Sequence, residues 1–147
     1  MKQFRVTILL IATSVLLCAC PNKDENGHRY ITFINKSGKD ISCQDFWSGH
    51  ITEADTLFQC RMGAVRIPAD SLFNFPSGES HRGGTWEDDF RTIPFIQFLI
   101  MDDELLWQYH LEPCDTIRKH VPVLHLYRLT LKDLQRMNWT VVFPPEE

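Results

Sequence analysis

Apolar and polar residues alternate in short runs over most of the chain beyond residue 28, and these runs are rich in β-branched and aromatic side chains. The pattern is typical of strands, and a period of two indicates that one face is buried. Gly, Pro, Asn and Asp separate the runs, as they do in turns. The predicted strands are Arg29–Asn35, Asp40–Phe46, Thr56–Cys60, Val65–Ile67, Ser71–Phe75, Phe95–Met101, Leu105–Tyr109, Val121–Leu129 and Trp139–Phe143.

Three local patterns refine this prediction. Gly38 lies in a turn sequence between the first two strands and is free to take a positive φ, which predicts a hairpin. Phe95–Met101 is nearly all apolar, as in a strand buried on both faces. Thr130 and Asp133 have the spacing of a capping box, and the apolar residues of Leu131–Met137 follow at helical spacing. The last pattern predicts one short helix.

Many short strands with one small helix predict a mainly-β fold, either a single antiparallel β-sandwich or a partly open barrel. The 147 residues suit one domain, with no internal repeat and no interdomain linker. We expect a signal peptide over residues 1–19, a flexible tether over residues 20–28 and a single mainly-β domain over residues 29–147.

The N-terminal segment has the layout of a signal peptide. Lys2 and Arg5 precede an uncharged, mostly apolar run, Val6–Ala19, which is shorter than the ~20 residues of a membrane span. The run closes with Leu17-Cys18-Ala19-Cys20, which resembles the lipobox of bacterial lipoproteins. The resemblance implies lipid attachment at Cys20. An ordinary secretory signal and an uncleaved anchor remain alternatives.

Lipid attachment sets the expected location. Each buried methylene contributes about 0.8 kcal/mol, so the several acyl chains of a mature lipoprotein, palmitate among them, hold it firmly to a membrane. Lys23-Asp24-Glu25 resembles the tether that directs some lipoproteins of Bacteroidetes bacteria to the outer face of the outer membrane. We expect an outer-membrane lipoprotein of the cell envelope, with surface exposure left open.

Charge narrows the range of partners. Without residues 1–19, 13 of the 15 basic residues remain against 19 acidic ones, which gives a formal net charge of −6. This balance argues against nucleic acid as a partner and against adsorption to anionic lipid. We therefore expect contact with the membrane through the lipid anchor alone.

Cysteine usage permits a disulfide in the oxidising envelope. Cys43, Cys60 and Cys114 follow the predicted lipidation site, and an odd count allows at most one bridge between them. Cys43 and Cys60 lie on predicted neighbouring strands, so we predict this pair as the disulfide. Three separate buried thiols remain the alternative.

Segments along most of the mature chain resemble a set of small, uncharacterised lipoproteins of Bacteroidetes bacteria. Phe33–Ile41 is similar to the opening hairpin of that family. The other matching segments are Trp86-Glu87-Asp88-Asp89-Phe90, Phe98–Asp102, Asp115-Thr116-Ile117-Arg118-Lys119, Tyr127–Leu134 and Asn138-Trp139-Thr140-Val141. The resemblance implies a lipid-anchored single domain and implies no activity.

Candidate chemistry is sparse. The acidic triplets Glu87–Asp89 and Asp102–Glu104 lack the spacing of a calcium loop, although paired carboxylates could serve a glycosidase. Cys114 has His110 and His120 nearby in sequence, as a thiol nucleophile would need, but its turn-like surroundings favour a surface loop. We predict no catalytic residue, no metal site and no cofactor.

The tryptophans keep one further function open. Trp47, Trp86, Trp107 and Trp139 could stack on sugars if they are exposed, whereas packing in the core is the alternative. We expect a non-catalytic binding or scaffolding module with an unknown protein or glycan partner. The alternative is a surface glycan-binding or glycan-processing accessory, with an exposed tryptophan and a carboxylate in one cleft.

The lipobox generates the first testable prediction. Cys20→Ala should abolish incorporation of labelled fatty acid and release the protein from membranes, because the residue that carries the acyl chains is lost. Cys18→Ala, which keeps Cys20 in place, is the matched control. Undiminished labelling of the Cys20→Ala protein would contradict the prediction.

Overall fold

The computed structural model describes residues 27–47, 63–78 and 83–145. The predicted signal peptide, most of the predicted tether and the predicted strand Thr56–Cys60 lie outside the described residues, and so do Cys20 and Cys60. Within the described ranges, no helix is long and apolar enough to cross a membrane.

Seven strands and four short helices account for the secondary structure of the described residues. The strands are β1 Tyr30–Asn35, β2 Ile41–Phe46, β3 Val65–Ile67, β4 Leu72–Pro76, β5 Ile96–Asp102, β6 Val123–Leu129 and β7 Thr140–Phe143. The helices are α1 Trp86–Asp89, α2 Asp103–Tyr109, α3 Cys114–His120 and α4 Leu131–Arg136.

The strands form two sheets that do not close into a barrel. One sheet has the order β4-β1-β7 and the other has the order β3-β2-β5-β6. The prediction of a mainly-β fold is therefore confirmed. The prediction of a wholly antiparallel fold is wrong, because β1 and β7 pair in parallel. Parallel strands need a long connection between them, and nearly the whole described chain lies between these two.

The predicted hairpin between the first two strands is also wrong. β1 and β2 belong to different sheets, so the turn between them passes from one sheet to the other. Gly38 does adopt the expected positive φ, of 71°. The burial patterns explain the separation: β1 alternates between buried and partly exposed positions, whereas β2 is buried on both faces. Among the described residues, the four-stranded sheet has hydrophobic cover on both of its faces.

Two hydrophobic clusters cover those faces. The first cluster lies between the sheets and includes Phe33, Phe98 and Val141. The second lies on the opposite face of the four-stranded sheet, where Leu99 on β5 packs with Ile117 of α3. Successive residues of β5 therefore enter different clusters, which confirms the prediction of a strand buried on both faces.

Hydrogen bonds from capping side chains determine where two of the helices begin. The helix predicted at Leu131–Met137 is confirmed as α4, and both hydrogen bonds of the Thr130–Asp133 capping box are present. The strand predicted at Leu105–Tyr109 is wrong, because Asp102 caps a helix there by accepting a hydrogen bond from the Leu105 N–H at 3.0 Å. α1 and α3 were not predicted from the sequence.

The cysteines depart from the predicted pairing. Cys43 is a free thiol buried in the first cluster, so the predicted bridge from Cys43 to Cys60 is not formed. Its side chain points between the sheets, among Phe and Ile side chains. Cys114, at the start of α3, is disulfide-bonded. Since Cys43 is the other described cysteine, the partner of Cys114 lies outside the described residues.

Burial also controls the reactivity of the free thiol. It raises the pKa of Cys43 well above the ordinary value, and the charge of Asp45 adds to the rise. The thiol therefore stays protonated and unreactive in the folded protein.

These assignments predict the labelling of the mature protein. Of Cys43 and Cys114, an alkylating reagent should label neither in the folded state and Cys43 alone after unfolding without reductant. Adding reductant should expose Cys114 as well.

Mass spectrometry of the proteolysed protein reads out the labels. Cys43→Ala is the control, and it should remove the single label from the unreduced protein without affecting the linked peptides. A label on Cys114 in the unreduced, unfolded protein would contradict the assignment.

Candidate functional site

The first acidic triplet, Glu87–Asp89, has a structural role. Glu87 accepts a hydrogen bond from the His28 backbone N–H at 2.8 Å and pairs with the His28 ring at 2.7 Å. Partial burial acts to raise the pKa of Glu87, but the hydrogen bonds from His28 outweigh it and the net shift is downward. Asp88 completes a capping box with Thr85. The triplet therefore links the chain around His28, just before β1, to α1 by hydrogen bonds.

Asp89 links α1 to a second chain segment, the one that follows β4. It is buried, and one of its carboxylate oxygens accepts a hydrogen bond from the Gly78 backbone N–H at 3.0 Å. All three acids of the first triplet thus accept hydrogen bonds from backbone N–H groups of the domain.

The second triplet, Asp102–Glu104, borders a groove of about 640 Å³, here called the Arg66 groove. Its other walls are the turn between β1 and β2 at residues 38–40, Arg66 on β3, Ala69 just beyond β3, and Trp107 on α2. The volume falls within the usual range of ligand pockets. The groove is the concave site, with a tryptophan and acids together, that the glycan alternative requires.

Arg66 pairs with two carboxylates in the wall of the groove. Its Nη2 donates to Asp40 Oδ2 at 2.5 Å, and its Nε lies 3.0 Å from Asp103 Oδ2. Asp103 is only 3% exposed, and the Ser42 hydroxyl donates to its other oxygen at 2.6 Å. A buried carboxylate needs such partners. The guanidinium therefore anchors the turn to the start of α2.

Asp40 has a second partner in the chain beyond β3. Its Oδ1 accepts a hydrogen bond from the Ala69 backbone N–H at 2.9 Å. That hydrogen bond, followed by the one from Arg66, lowers the pKa of Asp40 below its ordinary value. Asp40 is consequently ionised at neutral pH and tied into the wall of the groove.

A single buried amide holds the turn that forms one wall. Asn35, at the end of β1, is fully buried, and its Nδ2 donates to the carbonyl oxygens of Lys39, Ile67 and Pro68 at 2.7, 3.0 and 3.0 Å. Its Oδ1 accepts from the backbone N–H and hydroxyl of Ser37 at 3.0 and 2.7 Å. Every hydrogen-bonding atom of this side chain is engaged, which makes it the junction of three segments.

Of the four tryptophans, only Trp107 is exposed. Trp86 and Trp139 are buried, and Trp139 stacks on His28 with ring centroids 4.3 Å apart. Trp47 is half-buried and packs against Trp86 at 4.9 Å. Trp107 is 56% exposed and lines the Arg66 groove. The structure thus separates one candidate sugar-stacking residue from three packing residues.

Cys114 was expected in a surface loop rather than as a thiol nucleophile, and the structure places it at the first residue of α3. Cys114 is disulfide-bonded and has no free thiol. The neighbouring histidines contact aromatic rings instead: His120 stacks on Tyr109 at 4.6 Å, and His110 meets Trp107 edge-on at 4.9 Å. Among residues 27–47, 63–78 and 83–145, no three His, Cys, Asp or Glu side chains gather as metal ligands would.

Sequence reasoning found Asp102–Glu104 and Trp107 but missed the other half of the groove. Arg66, Asp40 and Asn35 lie in separate strands and turns, and no local spacing links them. The one local sequence signal for this part of the groove is the polar turn at residues 35–40. There Asn35 stands two residues before Ser37, a spacing that is typical of an Asx-turn. Its contact with β3 depends on sheet order, which that turn does not encode.

Comparison with family models, curated proteins and solved structures finds no match to this chain in any of the three.

The role of Asn35 generates a stability prediction. Asn35→Asp keeps the shape of the side chain but turns an acceptor oxygen toward the three carbonyls, so the free energy of unfolding should fall by about 2–4 kcal/mol. Gln135→Glu is the matched amide-to-carboxylate control, since Gln135 is exposed on α4 and a change there should stay within about 0.5 kcal/mol. Urea unfolding followed by tryptophan fluorescence measures both. Equal loss in the two variants would contradict the prediction.

Proposed function

We propose that this protein is a lipid-anchored, non-catalytic binding module of the cell envelope, and that the Arg66 groove is its ligand site. The observation that carries the proposal is the meeting of an exposed tryptophan with charged side chains in one concave site. Concave sites with a few convergent polar groups are where proteins bind small ligands. The two sheets and the shared cluster between them form the supporting sandwich.

The position of the groove suits a protein held by its N-terminus. The proposed tether enters the domain just before Tyr30, whereas the turn at residues 38–40 follows the other end of β1. Six strand residues at about 3.3 Å each separate these ends by roughly 20 Å. The groove thus lies at the end of β1 away from the tether and is open to ligands outside the membrane.

Binding fits the groove better than catalysis does. A glycosidase needs one carboxyl group as an acid and a second as a nucleophile or base. Asp40 and Asp103 instead share the guanidinium of Arg66, and Asp102 caps α2. The lowered pKa of Asp40 is the reverse of what a general acid requires. The glycan-processing alternative therefore has less support than binding.

The test uses a photoreactive residue in the lipidated protein in living cells. Benzoylphenylalanine in place of Ala69 faces the groove and keeps the backbone N–H that binds Asp40, and the same residue in place of Tyr30, exposed at the other end of β1, is the control. The Ala69 position should form a covalent product with an envelope component, and Trp107→Ala should reduce its yield about tenfold. The Tyr30 position should not form this product.

Two outcomes would contradict the proposal. One is the absence of a specific product at the Ala69 position. The other is a product whose yield the Trp107→Ala substitution leaves unchanged, because the component would then be held elsewhere on the surface.

A further inference from the structure

We infer that the Arg66 groove binds a neutral saccharide, with one sugar ring stacked on the indole of Trp107. This inference rests on the proposed binding function and adds the chemical class of the ligand. Three properties of the groove carry it: the side chains left available, the balance of their charges and the support of the tryptophan.

Most charged groups of the groove already bind one another. Arg66, Asp40 and Asp103 form one ion-paired set, and one oxygen of Asp102 accepts a hydrogen bond from the N–H of Leu105. These contacts hold the four side chains in the wall of the groove, so a ligand reaches only those of their polar atoms that are not already engaged.

The remaining groups are one cation, one anion and one aromatic ring. Within the described residues, the side chains of Lys39 and Glu104 have no hydrogen-bond or ion-pair partner, and Trp107 exposes more than half of its surface. Lys39 donates hydrogen bonds, Glu104 accepts them, and the indole N–H of Trp107 is a further donor. The available set thus offers donors and an acceptor beside an apolar ring face.

A neutral sugar matches that set. Each hydroxyl group donates one hydrogen bond and accepts others, so it can meet both Lys39 and Glu104. The C–H face of a sugar ring is apolar and weakly positive, which suits the negative face of an indole. The ring therefore has an aromatic partner on one side and polar partners at its edge.

Charged ligands fit less well. An anion would meet Glu104 in a groove that has four acids against two bases, and the cost of like charges disfavours it. A cation could approach the indole, but it would meet Lys39. The hydroxyl groups of a neutral sugar can hydrogen-bond to Lys39 and Glu104 without placing a like charge beside either.

The helix that carries Trp107 positions it before a ligand arrives. The rings of His110 and Trp107 form a T-shaped contact with centroids 4.9 Å apart, and His110 Nδ1 lies 2.5 Å from the Trp107 backbone carbonyl oxygen. The same helix packs Leu105, Leu106 and Tyr109 into the second hydrophobic cluster. A fixed ring loses little conformational entropy on binding, which favours affinity.

The experiment titrates the lipidated protein, in a detergent without a sugar headgroup, with cellohexaose, xylohexaose, mannohexaose and maltohexaose. Calorimetry and tryptophan fluorescence report binding, and oligogalacturonate and choline serve as the charged comparison ligands. At least one neutral oligosaccharide should bind, and Trp107→Ala should weaken it by about tenfold or more. Trp107→Phe, which keeps a smaller ring, should lose less.

Tyr30→Ala is the matched control, because Tyr30 is an equally exposed aromatic residue, 53% against 56%, outside the groove. It should leave the affinity unchanged. The inference is overturned if none of the four sugars binds in a Trp107-dependent way. It is also overturned if choline or oligogalacturonate binds in the groove more tightly than every neutral sugar.

The proposed binding function and the proposed ligand class can be contradicted independently of each other. If the photoreactive residue at position 69 forms its Trp107-dependent product while no sugar binds, the binding function stands and only the ligand class is wrong. If that product is absent as well, both are wrong. Recovery of cleaved sugar after incubation would contradict the non-catalytic proposal alone.

Discussion

The buried side-chain amide of Asn35 is the interaction on which the arrangement of this domain depends. It lies where the chain leaves the three-stranded sheet, and it binds carbonyl oxygens of the following turn and of the segment that ends β3 in the other sheet. A buried amide with all its partners present stabilises one geometry, because any shift leaves a polar atom unpaired. The same junction brings the turn, Arg66 and Ala69 together as walls of the groove.

A second constraint follows from the two-sided burial of the four-stranded sheet. Its central strands β2 and β5 send side chains into both clusters, so the sheet needs cover on each face. The three-stranded sheet covers one face, and α2 and α3 cover the other. The helix that completes the second cluster also presents Trp107 to the groove, so the packing of the core and the shape of the site depend on the same element.

Local sequence was enough to predict most strands and α4, because alternation and capping depend on near neighbours. The all-apolar run of β5 also predicted burial on both faces correctly. Sheet membership was not predictable in this way. The turn around Gly38 has the residues of a hairpin, yet the burial of β2 on both faces places it in the other sheet. The helix α2 was missed because its cap, Asp102, closes an apolar strand that continues in sequence into Leu105.

The residues of the candidate site also fall into two groups, those that local sequence predicts and those that it does not. Its acids and its tryptophan are close in sequence, within residues 102–107, and could be singled out before the fold was known. Arg66 and Asp40 enter through contacts between separate segments, and these contacts turn an acidic triplet into the wall of a mixed-charge groove. The disulfide of Cys114 is another such case, since spacing alone favoured a different pair.

The central position of β1 has a mechanical consequence. The proposed tether precedes this strand in sequence and the groove lies at its far end, so on the proposed function a pull between membrane and ligand would act along its length. β1 is flanked by β4 and β7, and both ladders of hydrogen bonds would bear that load in shear. An edge strand can be peeled away bond by bond, whereas a central strand pulled lengthwise must break many bonds together. A domain tethered and loaded in the proposed way would therefore resist tension along β1.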